Sequence, residues 1–177
     1  MRSVSRVGII SDTHGLLRPE AKTFLHKSDF IVHAGDIGRP SILAELATVA
    51  PVTAVRGNND NGPWATAVPE FDVLRVGEIL LYVRHDLAEL DLDPAAAGFR
   101  VVVSGHSHRP SVEERDGVLY VNPGSAGPRR FKLPIAIAEL CVAGSSVTAR
   151  LIELEVVGAT DNYTKSRRAA HISGESR

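Results

Sequence analysis

The stretch Val101-Val102-Val103-Ser104-Gly105-His106-Ser107-His108-Arg109-Pro110 constrains the fold of this chain more than any other. Three β-branched residues in a row suit a strand covered on both faces, as in a parallel sheet. Gly105 then permits a tight turn, so that His106 and His108 project from the carboxyl end of that strand. Two imidazoles one residue apart suit a cation, although loop histidines also occur without one. Five further apolar runs stop at a short polar cluster, and most of those clusters carry residue types that ligate metals.

The first run, 7–10, ends in Ser11-Asp12-Thr13-His14-Gly15, and a helix opened by Pro19 and Glu20 follows over 18–27. Asp12 and His14 lie two apart, so an extended backbone would turn both side chains to one face, while a helix cap or turn is the plainer alternative. Residues 30–34 read as a second strand broken by Gly35-Asp36, itself an ordinary turn sequence, with a helix from Pro40-Ser41 to about 49. The third run, 52–56, ends in Gly57-Asn58-Asn59-Asp60-Asn61-Gly62. That cluster is turn-rich, and position alone makes Asn58 a candidate oxygen ligand.

Residues 64–70 read as a surface loop. Strands over 73–76 and 79–83 then pair across Gly77-Glu78, the second ending at Arg84-His85-Asp86. The leucines and alanines of 87–98 fit a short helix despite Pro94. Beyond the opening stretch, 112–115 and 118–121 flank Asp116-Gly117 as a hairpin that leads into Asn122-Pro123-Gly124-Ser125. Antiparallel strands over 135–142 and 147–155 complete a single domain, 1–157, and 158–177 reads as a polar, disordered tail.

A formal net charge of -1 gives no general attraction for nucleic acid or anionic membrane, so any recognition of phosphate must be local. Neither stable nucleic-acid binding nor membrane association is expected. The single cysteine, Cys141, lies in an apolar run and cannot form an intrachain disulfide, which predicts a buried thiol and a reducing, cytoplasmic setting. No apolar run is long enough to span a bilayer.

Strands alternating with helices, then hairpins, predict an α/β sandwich in which the loops at the carboxyl ends of the strands gather along one ligand-binding edge. Asp12, His14, Asp36, Asn58, His85, His106 and His108 all fall at such ends. Two carboxylates, an amide oxygen and four imidazoles exceed the needs of one ion and suit a pair of first-row divalent ions. Such ions, about 3.5–4 Å apart, would share a carboxylate and hold a bridging hydroxide for attack on phosphorus.

In this combination the chain resembles the calcineurin-like metallophosphoesterases, and among them the small YfcE-type phosphodiesterases, over about 7–155. The motifs that carry the resemblance are Asp12-x-His14, Gly35-Asp36, Gly57-Asn58-Asn59-Asp60, the lone His85 after a strand, Gly105-His106-Ser107-His108 and Asn122-Pro123-Gly124-Ser125. The resemblance implies a four-layer α/β/β/α sandwich of mixed sheets. It assigns Asp12, His14 and His108 to a first metal, Asn58, His85 and His106 to a second, and Asp36 to the bridge. It implies manganese as the usual ion, with nickel, cobalt, iron or zinc as substitutes. The implied substrate is a small or nucleotide-like phosphodiester, with Asp36, Asn58, His106 and His108 at the chemistry.

The chain departs from that pattern in three places. Many members carry, after the ligand asparagine, a histidine that donates a proton to the leaving group, and the small phosphodiesterases commonly carry cysteine; Asn59 stands there, and an amide cannot do that work. Arg84 and Asp86 flank His85 where threonine and glycine are usual, and Asp86 either orients an imidazole or caps the next helix. The segment between His85 and Val101 is short. His33 reads as a core or supporting residue and His26 as exposed, while Arg18, Arg56, Arg109 and Arg129 could each meet a phosphate. Two other functions stay open: a protein-binding scaffold like the retromer subunit Vps29, and a phosphomonoesterase. Oligomeric state is not indicated.

Overall fold

The structure is a computed structural model that describes residues 4–156. The expected tail, 158–177, lies outside them. Two five-stranded mixed sheets pack face to face. The first has strands β1 (Ser5–Ile10), β2 (Phe30–His33), β3 (Val52–Ala54), β9 (Ala136–Ala143) and β10 (Ser146–Glu153), in the order β10-β9-β1-β2-β3. The second has β4 (Phe71–Val76), β5 (Ile79–Arg84), β6 (Val101–Val103), β7 (Ser111–Arg115) and β8 (Val118–Asn122), in the order β4-β5-β6-β8-β7. β1, β2 and β3 run parallel, as do β5, β6 and β8. Antiparallel hairpin partners complete each sheet.

Period-2 alternation decides which side chains meet between the sheets. Val7 and Ile9 of β1, Ala138, Leu140 and Val142 of β9, Leu81 and Val83 of β5 and Val101 and Val103 of β6 all enter one cluster, each at most 3% exposed. The opposite face of the first sheet meets helices α1 (Pro19–Leu25) and α2 (Pro40–Ala47) through Ile10, Ile31, Leu25, Ile42 and Leu46. Both helices begin on a proline, whose missing N–H would have no partner in the first turn anyway. Glu139 is 2% exposed on that outer face of β9, where Arg6 and Arg150 neutralise it.

The fourth layer differs from expectation. No helix spans 87–98: the chain makes one 3-10 turn, Leu87–Glu89, and a separate turn after Asp93, whose Oδ1 accepts the N–H groups of Ala95 and Ala96. Asp93 followed by proline starts a new turn rather than continuing an old one. Leu87, Leu90, Leu92 and Phe99 instead lie as a strap over Tyr82 and Val102, on the outer face of the second sheet. The 64–70 segment is also better packed than a surface loop, with a 3-10 turn at Ala65–Ala67 and Ala65 and Val68 buried. Cys141 is half-buried rather than buried, a free thiol whose Sγ donates to Glu139 Oε2 at 3.7 Å. No helix among the described residues is long and apolar enough to cross a membrane.

Leu140 is fully buried between the sheets, whereas Leu151 on edge strand β10 is 39% exposed. Leu140→Ala should therefore cost about 2–5 kcal/mol in a urea titration, and Leu151→Ala well under half of that.

Candidate metal centre

The parallel strands bring six loops to one edge, where each anchors another. Asp12 N and His14 N donate to the carbonyls of Gly35 and Asp36 at 3.0 and 2.9 Å, so the loops after β1 and β2 run side by side. Asp60 ties the loop after β3 to the one after β2: its two oxygens accept Gly57 N and Gly38 N, both at 2.8 Å. His85 Nδ1 donates to Ala34 O at 2.7 Å and links the two sheets. The Asn122-Pro123-Gly124-Ser125 turn closes the edge, Asn122 Nδ2 reaching Gly105 O at 2.6 Å and Ser125 Oγ reaching Asp12 O at 3.0 Å.

Close approach explains two of the glycines. A Cβ on Gly105 would stand 2.1 Å from Ser11 Oγ and 2.7 Å from Asp12 Oδ2, and one on Gly57 would stand 2.1 Å from Asp36 Oδ1. Five of the seven expected ligands adopt left-handed backbone: Asp12 (φ 54°), His14 (φ 45°), Asp36 (φ 53°), His106 (φ 65°) and His108 (φ 59°). Each costs on the order of 1 kcal/mol or more, and strain of this kind concentrates where side chains must be aimed. Five of the seven converge, in two groups that share Asp12. The ligand atoms of Asp12, His14 and His108 lie within 4.8 Å of one another, as do those of Asp12, Asp36 and His85.

Within the first group His108 Nε2 is 3.1 Å from Asp12 Oδ1 and 3.4 Å from His14 Nε2. Asp36 Oδ2 stands between the groups, 3.8 Å from His14 Nε2 and 3.5 Å from His85 Nε2. Asn58 and His106 stand just outside, paired through Asn58 Oδ1 and His106 Nδ1 at 3.0 Å, with the His106 ring edge-on to His85. Asp12 Oδ1 and His85 Nε2 are buried without a hydrogen-bond partner. Unpartnered buried acceptors within these groups, with a mixed imidazole and carboxylate donor set, fit first-row divalent ions.

Burial and neighbouring charges shift these groups in opposite directions. Burial pushes the Asp12 carboxyl up to about 6, against the opposing bond from Ser11 Oγ. Burial acts on Asp36 in the same sense, yet the His85 imidazole and the two Asn59 donors outweigh it and hold this carboxyl well below the ordinary range. Burial lowers His14, and it lowers His108 to about 4; the guanidinium of Arg130 adds to both. His85 is raised, because Asp36 and the Ala34 carbonyl outweigh its burial.

Several side chains have roles that the residue pattern did not reveal. Asn59 points inward, its backbone N–H on Asp36 Oδ1 at 2.9 Å and its side-chain amide on Asp36 Oδ2 at 2.7 Å. Asp60 gave no signal beyond its place in a turn-rich cluster. Arg130, next to the candidate Arg129, is the arginine whose charge reaches His14 and His108. Arg56 is paired with Glu70 and Arg18 Nε with Gly127 O, while Arg109 and Arg129 are exposed. His33 is a core residue as expected: it is fully buried, Gly35 N donates to its Nδ1, and its Nε2–H donates to Thr13 Oγ1, leaving it neutral with burial lowering it to about 3. His26 is exposed, again as expected.

The calcineurin-like phosphoesterase superfamily domain matches residues 6–143, and the chain belongs to that family. A probable metallophosphoesterase of Methanothermobacter thermautotrophicus is 35% identical over 82% of this chain and 91% of its own length. A phosphodiesterase of Methanocaldococcus jannaschii is 27% identical over 67% of this chain and 82% of its own. The vacuolar protein sorting 29 structure from Cryptosporidium parvum shares the fold, with a TM-score of 0.74 at 21% identity over 86% of this chain and 92% of that one.

Asp60→Ala would leave the buried Gly57 N–H and the partly buried Gly38 N–H without their charged acceptor. A loss of about 3 kcal/mol by chemical denaturation is expected, with Asp60→Asn retaining part of it.

Proposed function

We propose that this phosphoester hydrolase is a phosphodiesterase working with two divalent ions, manganese before nickel, cobalt, iron or zinc. The observation that carries the proposal is the pair of unpartnered buried atoms, Asp12 Oδ1 and His85 Nε2, whose residues share one cluster of ligand atoms with the Asp36 carboxylate. Asp12, His14 and His108 would hold one ion and Asn58, His85 and His106 the other, with Asp36 between them. When bound, such ions supply an activated water and offset charge on the phosphoryl oxygens.

The chain's own residues do the rest. The two Asn59 donors keep Asp36 ionised and fix its orientation. Arg130 adds cationic charge on the His14 and His108 side, where an anionic phosphoryl group needs it. Because Asn59 is occupied by Asp36, that side chain offers the departing group no proton. The reading therefore favours diesters with stable leaving groups, or protonation by water, and small or nucleotide-like substrates. The named phosphodiesterase among the relatives supports a diester over a monoester. A single unpaired cysteine suits the cytoplasm.

A scaffold without catalysis is the second reading, and the exposed Phe71 and Val73 on edge strand β4 favour it. Hydrolysis of bis-p-nitrophenyl phosphate by metal-stripped protein, with manganese restored, separates the two. Metal-dependent turnover is expected, faster than on p-nitrophenyl phosphate, and Asp36→Ala should lower it by more than the roughly 10–100-fold that loss of a supporting residue costs. Absence of turnover with manganese, nickel, cobalt and zinc would favour the scaffold.

A further inference from the structure

Asp86 directly follows His85, and its two oxygens face different partners. Oδ1 accepts the N–H of Ala88 at 2.9 Å and so caps the turn Leu87–Glu89. That bond fixes the rotation of the carboxylate, leaving Oδ2 3.8 Å from His106 Nε2. The other nitrogen of His106, Nδ1, lies 3.0 Å from Asn58 Oδ1, and the ring stands edge-on to His85 at 5.3 Å between centroids. His106 therefore has an inward nitrogen aimed at Asn58 and His85 and an outward one aimed at Asp86.

Its side chain is 45% exposed, the most open of the four imidazoles in these groups, and its backbone is left-handed. Packing alone does not hold this ring. An imidazole that ligates through one nitrogen needs an acceptor for the N–H of the other, which sets tautomer and ring angle together. The gap of 3.8 Å closes with a small turn of an exposed ring, and such bonds tighten when the site is loaded.

We propose that Asp86 is a positioning residue: when an ion replaces the Nδ1–H bond to Asn58 Oδ1, the carboxylate accepts the Nε2–H of the other His106 tautomer and thereby presents an unprotonated Nδ1, beside Asn58 Oδ1, to the second divalent ion. The inference rests on the two-ion reading above. Asp86 serves both as cap and as orienting carboxylate, one oxygen for each.

Asparagine separates the two roles. Its carbonyl oxygen caps a helical turn as well as aspartate does, but its other terminal atom is a donor and cannot accept Nε2–H. Metal-stripped wild type, Asp86→Asn, His106→Ala and the double variant would be titrated with manganese against a chelating indicator, and the melting temperature of each metal-free protein recorded. Wild type should take up two ions. Asp86→Asn should keep its melting temperature and its affinity for the tighter ion, and lose about 10–100-fold in affinity for the other.

In the His106→Ala background the same substitution should change nothing further. Second-ion affinity equal to wild type in Asp86→Asn would overturn the proposal. So would equal weakening of both ions, a drop in melting temperature that accounts for the loss, or a loss that persists without His106, which would mean that the carboxylate acts by charge alone. Uptake of a single ion by wild type is seen before any substitution, and it would overturn the two-ion reading itself.

Discussion

The structure depends on how it tolerates Asp12, a carboxylate with no exposure whose Oδ1 has no hydrogen-bond partner. An unpaired buried charge costs many kcal/mol, so such a group either takes up a proton or has a cation beside it. Both tendencies are visible. Burial pushes the carboxyl up to about 6, and the Oδ1 side is ringed by His108 and His14 rather than by hydroxyls or backbone N–H groups. The other oxygen is held by Ser11 Oγ and His106 N at 2.7 and 3.2 Å. Half of the carboxylate is thus structural and half is kept bare, and the left-handed residues and glycine contacts around it serve that division.

Most of the edge could be read in the residues because parallel strands impose a simple rule. An apolar run buried on both faces must end where its side chains turn polar, and in a parallel sheet those ends fall together. Asp12, Asp36, His85 and His108 were legible for that reason, each one or a few residues past the last buried strand position. Asn58 was legible only by position, and it and His106 are the two outside the tight groups.

What was not legible was set by tertiary contact. The leucines of 87–98 suit a helix by composition, but they cover Tyr82 and Val102 better as a strap, and Asp93 with Pro94 starts a new turn midway. Asp60 looked like one more turn residue, because nothing local says that its carboxylate spans two loops. Arg130 could not be chosen from among its neighbours, since its reach toward His14 and His108 comes from the fold of the loop after Ser125.

The departures around Asn58 and His85 belong to one adjustment. Asn59 turns inward, its backbone N–H and side-chain amide holding both oxygens of Asp36. Asp86 caps one turn through Oδ1 and turns Oδ2 toward His106, the most exposed of the candidate imidazoles. Asn59 adds fixed polar contacts to Asp36, whereas Asp86 stands 3.8 Å from His106, near enough to orient it. The site is thereby stiffened where it would hold ions and left bare where a departing group would need a proton. Under the proposed two-ion reading, such a centre would depend on its ions for rate and on the substrate's own leaving group for turnover. Diester hydrolysis with activated leaving groups is compatible with such a site, whereas cleavage that needs strong protonation of an alkoxide is not.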